Sequence, residues 1–215
     1  MLLPYFPMPR MDFRVSILAR LLFAALCMLA CTGCGMLGAG AFGTVVVDPG
    51  HGGWDRGGIA RFGMNEKDLA LDTARRLKSA LQWRGYHVVT TRDNDTFIPL
   101  DTRVAISNRT FNSIFVSVHY NWDRGSSGHG VETYYCSPRS QRLASNVQRS
   151  LARAYPTSNR GVKRGCWIRV LRKNTRPAIL VECGFDSNPT ENAFLQTGSG
   201  RQRIADAIAR GIAGH

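Results

Sequence analysis

The chain has 215 residues, 44% of them hydrophobic, and a formal net charge of +13. That length and apolar share suit one globular domain with some sequence left over for targeting. The charge suggests an anionic partner, or equally serves solubility alone, and the basic residues are scattered, without a dense run or stacking aromatics between them. No helix-turn-helix, RRM or zinc-finger pattern is present, so nucleic acid is not expected.

The first forty residues read as a secretory leader. Arg14 and Arg20 supply the positive start, and "LLFAALCMLA" (21–30) is an apolar run of ten, too short to span a bilayer. Residues 1–30 are therefore expected to be a signal peptide. "MLAC", ending at Cys31, has the form of a lipobox, and Cys34 is a poorer match for the same role. Either cysteine would attach the chain to a membrane by lipid. "GMLGAGAFG" (35–43) follows as a flexible tether, so the body is expected to run from residue 43 to 215. Loss of residues 1–30 would remove Arg10, Arg14, Arg20 and Asp12 and leave a charge of +11. The body's own cysteines, Cys136, Cys166 and Cys183, are odd in number and widely spaced, which gives no basis for a disulfide framework.

"TVVVD" (44–48) is a continuous apolar run closed by turn residues, the pattern of a strand covered on both faces. Residues 65–85 form a helix, with Asn65 as N-cap, Gly85 as stop and Ala70, Ala74, Leu77 and Leu81 on one face. Strands are expected at 86–92, 113–119, 130–135, 167–172 and 178–182, and helices at 100–111, 140–154 and 201–213. Strands alternating with helices predict a single α/β domain, a mostly parallel, roughly six-stranded sheet with helices on both faces.

In such a sheet, reactive groups gather at the carboxyl ends of the strands. His51 follows the first strand, His119 ends "SIFVSVH", and Glu182 ends "AILVE". Two histidines and a carboxylate form a common zinc ligand set that leaves a position for water. Glu66, fifteen residues beyond His51 at the start of the long helix, fits as the carboxylate, because the helix N-terminus favours a negative charge. Taken singly, each of these residues has an ordinary structural explanation; together they form a site. Glu182 follows four apolar residues, where an unpaired carboxylate is costly. A salt bridge to Arg176 or Arg169 would satisfy it, but a general base beside a metal-bound water is the preferred reading. His87 and His215 read as surface or terminal residues, and His129 as a loop residue first and a substrate contact second.

The segments "VVVDPGHGGWDRGG", "NEKDLAL", "VVTTRDNDTFIPLDTRVAISN", "SIFVSVHYN", "GVETYY" and "RGVKRGCWIRVLRKNTRPAILVECGFDSNP" occur in the order seen in one family. Residues 43–213 resemble the zinc-dependent N-acetylmuramoyl-L-alanine amidases of the cell-separation type. The resemblance implies one catalytic zinc held by His51, Glu66 and His119, with Glu182 as the catalytic carboxylate. The implied reaction is hydrolysis of the peptidoglycan amide between N-acetylmuramic acid and the L-alanine of the stem peptide. Asn121, Arg103 and Glu132 fall on recurrent family positions with structural or substrate-contact roles. Glu182 lies only 63 positions after His119, too few for the plugging helix of some members, so no activator is expected. No wall-binding repeat is expected beside the catalytic body. The protein is expected to be an exported monomer of the periplasm or cell envelope. Three rivals stand beside this reading: a zinc peptidase of the stem peptide, a non-catalytic peptidoglycan-binding lipoprotein and, weakest, nucleic-acid binding driven by charge.

Overall fold

The computed structural model describes residues 42–60, 62–155 and 157–215. The expected leader, the two candidate lipobox cysteines and most of the expected tether lie outside these residues. No helix among the described residues is long and apolar enough to cross a membrane.

The chain runs β1 (Thr44–Pro49), α1 (Glu66–Trp83), β2 (His87–Thr90), α2 (Leu100–Arg109), β3 (Ser113–Asn121) and β4 (Val131–Tyr135). A 3-10 turn (Pro138–Ser140) then leads to α3 (Gln141–Leu151), β5 (Asn159–Arg164), α4 (Arg169–Arg172), β6 (Ala178–Phe185), α5 (Pro189–Leu195) and α6 (Gly198–Ala213). The six strands form one sheet in the order β2-β1-β3-β6-β4-β5. All neighbours are parallel except β4, which runs against β6. The expected mostly parallel six-stranded α/β domain is the fold observed.

The valines of β1 show why a continuous apolar run was needed. Val45 and Val47 face one layer, where Leu69, Leu77 and Leu81 of α1 meet Leu143 and Val147 of α3 and Ile204 and Ile208 of α6. Val46 faces the other layer, with Val104 of α2, Val170 and Leu171 of α4, and Phe115 and Leu180 of the sheet. Helices on both faces leave no side of the strand for polar residues.

Three expectations about elements are corrected. "WIRVLR" is not a strand: its apolar residues serve a turn and the short helix α4, which buries Val170 and Leu171. The sixth strand is instead β5, "NRGVKR", whose basic, half-exposed residues suit a sheet edge and hide it from a search for apolar runs. Asn65 occupies the N-cap of α1 but its side chain makes no capping bond. Two further starts are capped as chemistry predicts: the Asn188 side chain accepts from the Thr190 and Glu191 amides at α5, and that of Thr197 from the Gly200 amide at α6.

The cysteine reading is also corrected. Cys136 and Cys166 are joined by a disulfide, and Cys183 is buried and free. Sequence spacing hides this bond because it depends on register. Tyr135 pairs with Arg164 across β4 and β5, so the residues just beyond each strand end face one another.

Candidate metal centre

The chain order reverses between β1 and β3. From β1 the chain steps to β2 on one side, then crosses to β3 on the other. The crevice at the carboxyl ends of these two strands is where an open α/β sheet presents its site. His51 leaves β1 there and His119 ends β3 there.

His51 has a φ of 58°, a left-handed conformation uncommon for a residue with a Cβ. Buried arginines hold the turn in it. Arg103 donates to the Asp48 carboxylate at 2.8 Å and to the carbonyls of Pro49 and His51 at 2.6 Å each. Arg92 donates to the carbonyls of Pro49 and Gly50 at 3.1 and 2.6 Å. Gly50 is required for a different reason, because a Cβ there would overlap the His119 ring.

The imidazole of His51 is fixed at both nitrogens. Its Nδ1 lies 2.9 Å from Asp55 Oδ1, and its Nε2 lies 3.1 Å from Glu66 Oε1. His119 Nδ1 lies 3.0 Å from the same Glu66 oxygen, and the two rings meet edge to face with centroids 4.9 Å apart. Glu66 is buried at the first position of α1, and backbone amides hold both its oxygens: Gly58 donates to Oε2 at 2.7 Å and Tyr120 to Oε1 at 3.1 Å. Burial opposes the charge on Glu66, but the two imidazoles outweigh it and hold the carboxyl well below the usual range. Burial likewise lowers the proton affinity of His51, and its contacts with Glu66 and Asp55 overcome that and raise it.

One ligand atom from each of His51, Glu66 and His119 lies within 4.8 Å of the others. The donor chemistry fits a borderline-soft divalent cation such as zinc. The nitrogen–oxygen separations of 3.0 and 3.1 Å lie near the edge of a tetrahedron with arms of about 2.0–2.1 Å, roughly 3.3 Å. Asp55 adds the outer carboxylate that commonly orients a metal-binding histidine: accepting a hydrogen bond from Nδ1–H, it would leave the Nε2 lone pair free for a cation.

Glu182 stands beside this cluster, in register with His119 across β3 and β6. Neither proposed salt bridge forms. Arg169 pairs with Asp101 at 2.7 and 2.8 Å, and Arg176 donates to the Asn108 carbonyl at 3.1 Å. Oε2 of Glu182 is shut off from solvent and has no hydrogen-bond partner. Burial, then the nearby carboxylates Glu66, Glu132 and Asp186, push its carboxyl well above the ordinary range. Glu132, its neighbour across β4, differs because it is satisfied. It pairs with Arg160 at 2.7 Å and with Lys163, and accepts from Asn121 at 3.0 Å and Tyr134 at 2.7 Å. Asn121 and Glu132 thus brace the strand ends, and Arg103 braces the His51 turn; Asn121 also lines the cleft over this cluster and Arg103 the pocket beside it.

A cleft of about 430 Å³ opens over His51, Glu66, His119 and Glu182, walled by Trp122, Tyr134, Trp167 and Ile168. A second, more apolar pocket of about 410 Å³ adjoins it on the His51 side, with Trp54, Phe97, Ile98 and Leu100 in its wall. His129 lies in neither. It is exposed in the loop before β4, bonds the Ser127 carbonyl at 3.0 Å and sits by Ser158 and Thr190. His87 is exposed, and His215 packs its ring against Phe42.

Sequence reasoning missed two acids. Asp55, four residues past His51 in "HGGWD", was readable from spacing once a metal was suspected. Asp186, in "CGFDSN", gave no signal. It is fully buried, neither carboxylate oxygen has a partner, and burial together with Glu66 pushes its carboxyl up to about 7.

A parallel-sheet crevice holding this donor set and an unpaired carboxylate defines an α/β hydrolytic enzyme. The family model described as N-acetylmuramoyl-L-alanine amidase matches residues 45–214, and the chain belongs to that family. It is 36% identical over 173 residues to the uncharacterized protein YqiI of Bacillus subtilis (strain 168), covering 79% of this chain and 82% of YqiI. It is equally 36% identical over 172 residues to the N-acetylmuramoyl-L-alanine amidase LytC of the same organism, covering 78% of this chain but 34% of LytC. The chain thus spans about a third of the longer relative. Among solved structures it resembles the catalytic domain of CwlV from Bacillus (Paenibacillus) polymyxa var. colistinus, at 35% identity and a TM-score of 0.76, over 80% of this chain and 96% of that one. The N-acetylmuramoyl-L-alanine amidase from Clostridium difficile 630 is similar at 32% identity and a TM-score of 0.77, over 81% and 97% of the two chains.

Proposed function

We propose that the chain is a zinc-dependent peptidoglycan hydrolase that cleaves the amide between N-acetylmuramic acid and the L-alanine of the stem peptide, in wall remodelling or cell separation. The observation that carries this reading is the convergence of His51, Glu66 and His119 beside an unpartnered Glu182. His51, Glu66 and His119 hold the cation. Zinc bound there supplies Lewis-acid polarisation of the scissile carbonyl and lowers the pKa of water to roughly 7. Glu182 accepts the proton of the attacking water and returns it to the leaving amine. The exposed rings of Trp122 and Trp167 in the cleft wall offer flat aromatic faces to the glycan-peptide.

In this reading residues 1–30 are a signal peptide, 31–42 a tether and 43–215 the catalytic domain. The protein acts in the periplasm or envelope and is anchored through lipid on Cys31 or Cys34. Relatives named as cell-wall amidases support an envelope location. The stretch between His119 and Glu182 is taken up by β4, α3, β5, α4 and their links, which supports activity without an activator.

Digestion of purified peptidoglycan, read by mass spectrometry, tests the assignment. The unmodified protein should release stem peptides with free L-alanine amino termini and leave the glycan intact. Glu182→Gln should lose at least about a thousandfold in turnover while keeping its metal and fold, the order of effect expected for a catalytic acid–base. Shortened stems would favour the peptidase, and an inert unmodified protein the binding lipoprotein.

A further inference from the structure

A second concave site lies between α3 and α6 and shares no residue with the catalytic cleft. Its volume is about 310 Å³, and Arg149, Arg153 and Arg210 line it together with Asn146, Ser150 and Gly214. No carboxylate lines it. All three arginines are exposed, and among the described residues none of their guanidinium groups has a hydrogen bond or ion pair. The nearest acid along α6, Asp206, is one turn before Arg210 and is engaged by Gln202 at 3.1 Å instead.

This clustering has a cost. Arg149 lies in the last turn of α3 and Arg153 two residues beyond its end, so two like charges share one groove and repel. Arg210 is brought against them because α3 and α6 approach closely at Gly211, where a Cβ would overlap the Val147 backbone. Repulsion left unrelieved within the chain is relieved by an anion from outside it. Phosphate is the match, because guanidinium groups bind its oxygens in pairs.

The position of the groove indicates the source of the phosphate. Gly214 closes one end, and Asn146 holds its carbonyl at 2.8 Å. The next residue, His215, packs on Phe42 with ring centroids 5.8 Å apart. Phe42 is the first described residue after the segment that carries the apolar run 21–30 and the cysteines 31 and 34. Through His215 the end of the groove thus reaches Phe42, the N-terminal edge of the described body, and the expected leader precedes Phe42 in the chain.

We propose that the Arg149–Arg153–Arg210 groove is a membrane-docking site that binds the phosphate headgroups of an anionic bilayer. Each arginine near such a surface adds attraction that salt weakens. Docking there would seat the body on its α3–α6 side and leave the strand-end cleft free for the wall.

The test uses residues 42–215, so that the leader cannot contribute. This body has its own core, and the solved neighbours are almost entirely this unit, with 96% and 97% of their chains matched. Co-sedimentation is measured with vesicles of phosphatidylcholine alone and with an equal part of phosphatidylglycerol. The body should bind only the anionic vesicles. The triple variant Arg149→Gln, Arg153→Gln, Arg210→Gln should lose on the order of a hundredfold in partitioning. A charge-matched triple, Arg109→Gln, Arg124→Gln, Arg172→Gln, should lose no more than about threefold, a general-charge effect. Circular dichroism and release of soluble muropeptides should be unchanged in both. Equal losses in the two triples would overturn the proposal, as would failure of the body to bind anionic vesicles or retention only by soluble poly(glycerol phosphate).

Discussion

Asp55 contributes to the candidate metal centre without touching the cation. Its Oδ1 lies 2.9 Å from His51 Nδ1 and also accepts from the Gly57 amide at 3.1 Å. Asp55→Asn keeps the shape and removes the charge that sets the ring's tautomer. Zinc affinity, measured by competition with a chromogenic chelator, should fall about 10–100-fold. Unchanged affinity would mean that His51 is oriented by its backbone turn alone. Asp186 has a different signature. Its folded-state pKa of about 7 stands above the ordinary value of 3.8, so the native state keeps a proton that the unfolded chain releases. Its favourable contribution is complete below about pH 4 and is lost as pH rises to about 7. In the presence of a chelator, Asp186→Asn should therefore gain stability over the unmodified protein across that window, by on the order of 2 kcal/mol at pH 8. A difference in melting temperature that stays flat between pH 4 and 8 would contradict this.

At the scale of elements, the disulfide links the end of β4 to the turn before α4, and that turn carries Trp167 and Ile168 into the cleft wall. Tyr134 meets Trp167 edge to face with centroids 6.0 Å apart, so the wall is pinned by one covalent bond and one ring contact. Closing a loop with a separation of 30 residues stabilises by about 3–4 kcal/mol in the chain-entropy view. Cys136→Ser with Cys166→Ser should lower the melting temperature by about 10 °C and raise KM more than it lowers kcat. Melting and KM that do not respond to the double substitution would show that the wall holds without the bond. The elements also show what the sequence could and could not disclose. β1, α1, β3 and β6 were legible because each has a strong apolar period or run against a two-sided core. β5 was not, because an edge strand with Arg160, Lys163 and Arg164 lacks that signal. α4 was misread as a strand because four residues are too few to separate a period of 3.6 from one of 2.

The whole molecule explains why the site was easier to read than some of the fold that carries it. His51, His119 and Glu182 each follow an apolar strand, and α/β architecture gathers strand ends, so three of the four residues could be placed from chain order alone. Glu66 needed the further step that a helix start can fold back on the sheet, and the Gly58 and Tyr120 amides complete that step. Asp186 and the arginine groove could not be read ahead, because both depend on packing between elements distant in sequence. The convergence of two strand ends and one helix start on a single cation is the claim on which the catalytic assignment rests. Its most direct test is metal content by mass spectrometry after equilibration with zinc and removal of excess, for the unmodified protein and for His119→Ala. One zinc per chain in the first, with loss of both zinc and muropeptide release in the second, is the expected result. A His119→Ala protein that keeps a full equivalent of zinc and its activity would contradict it.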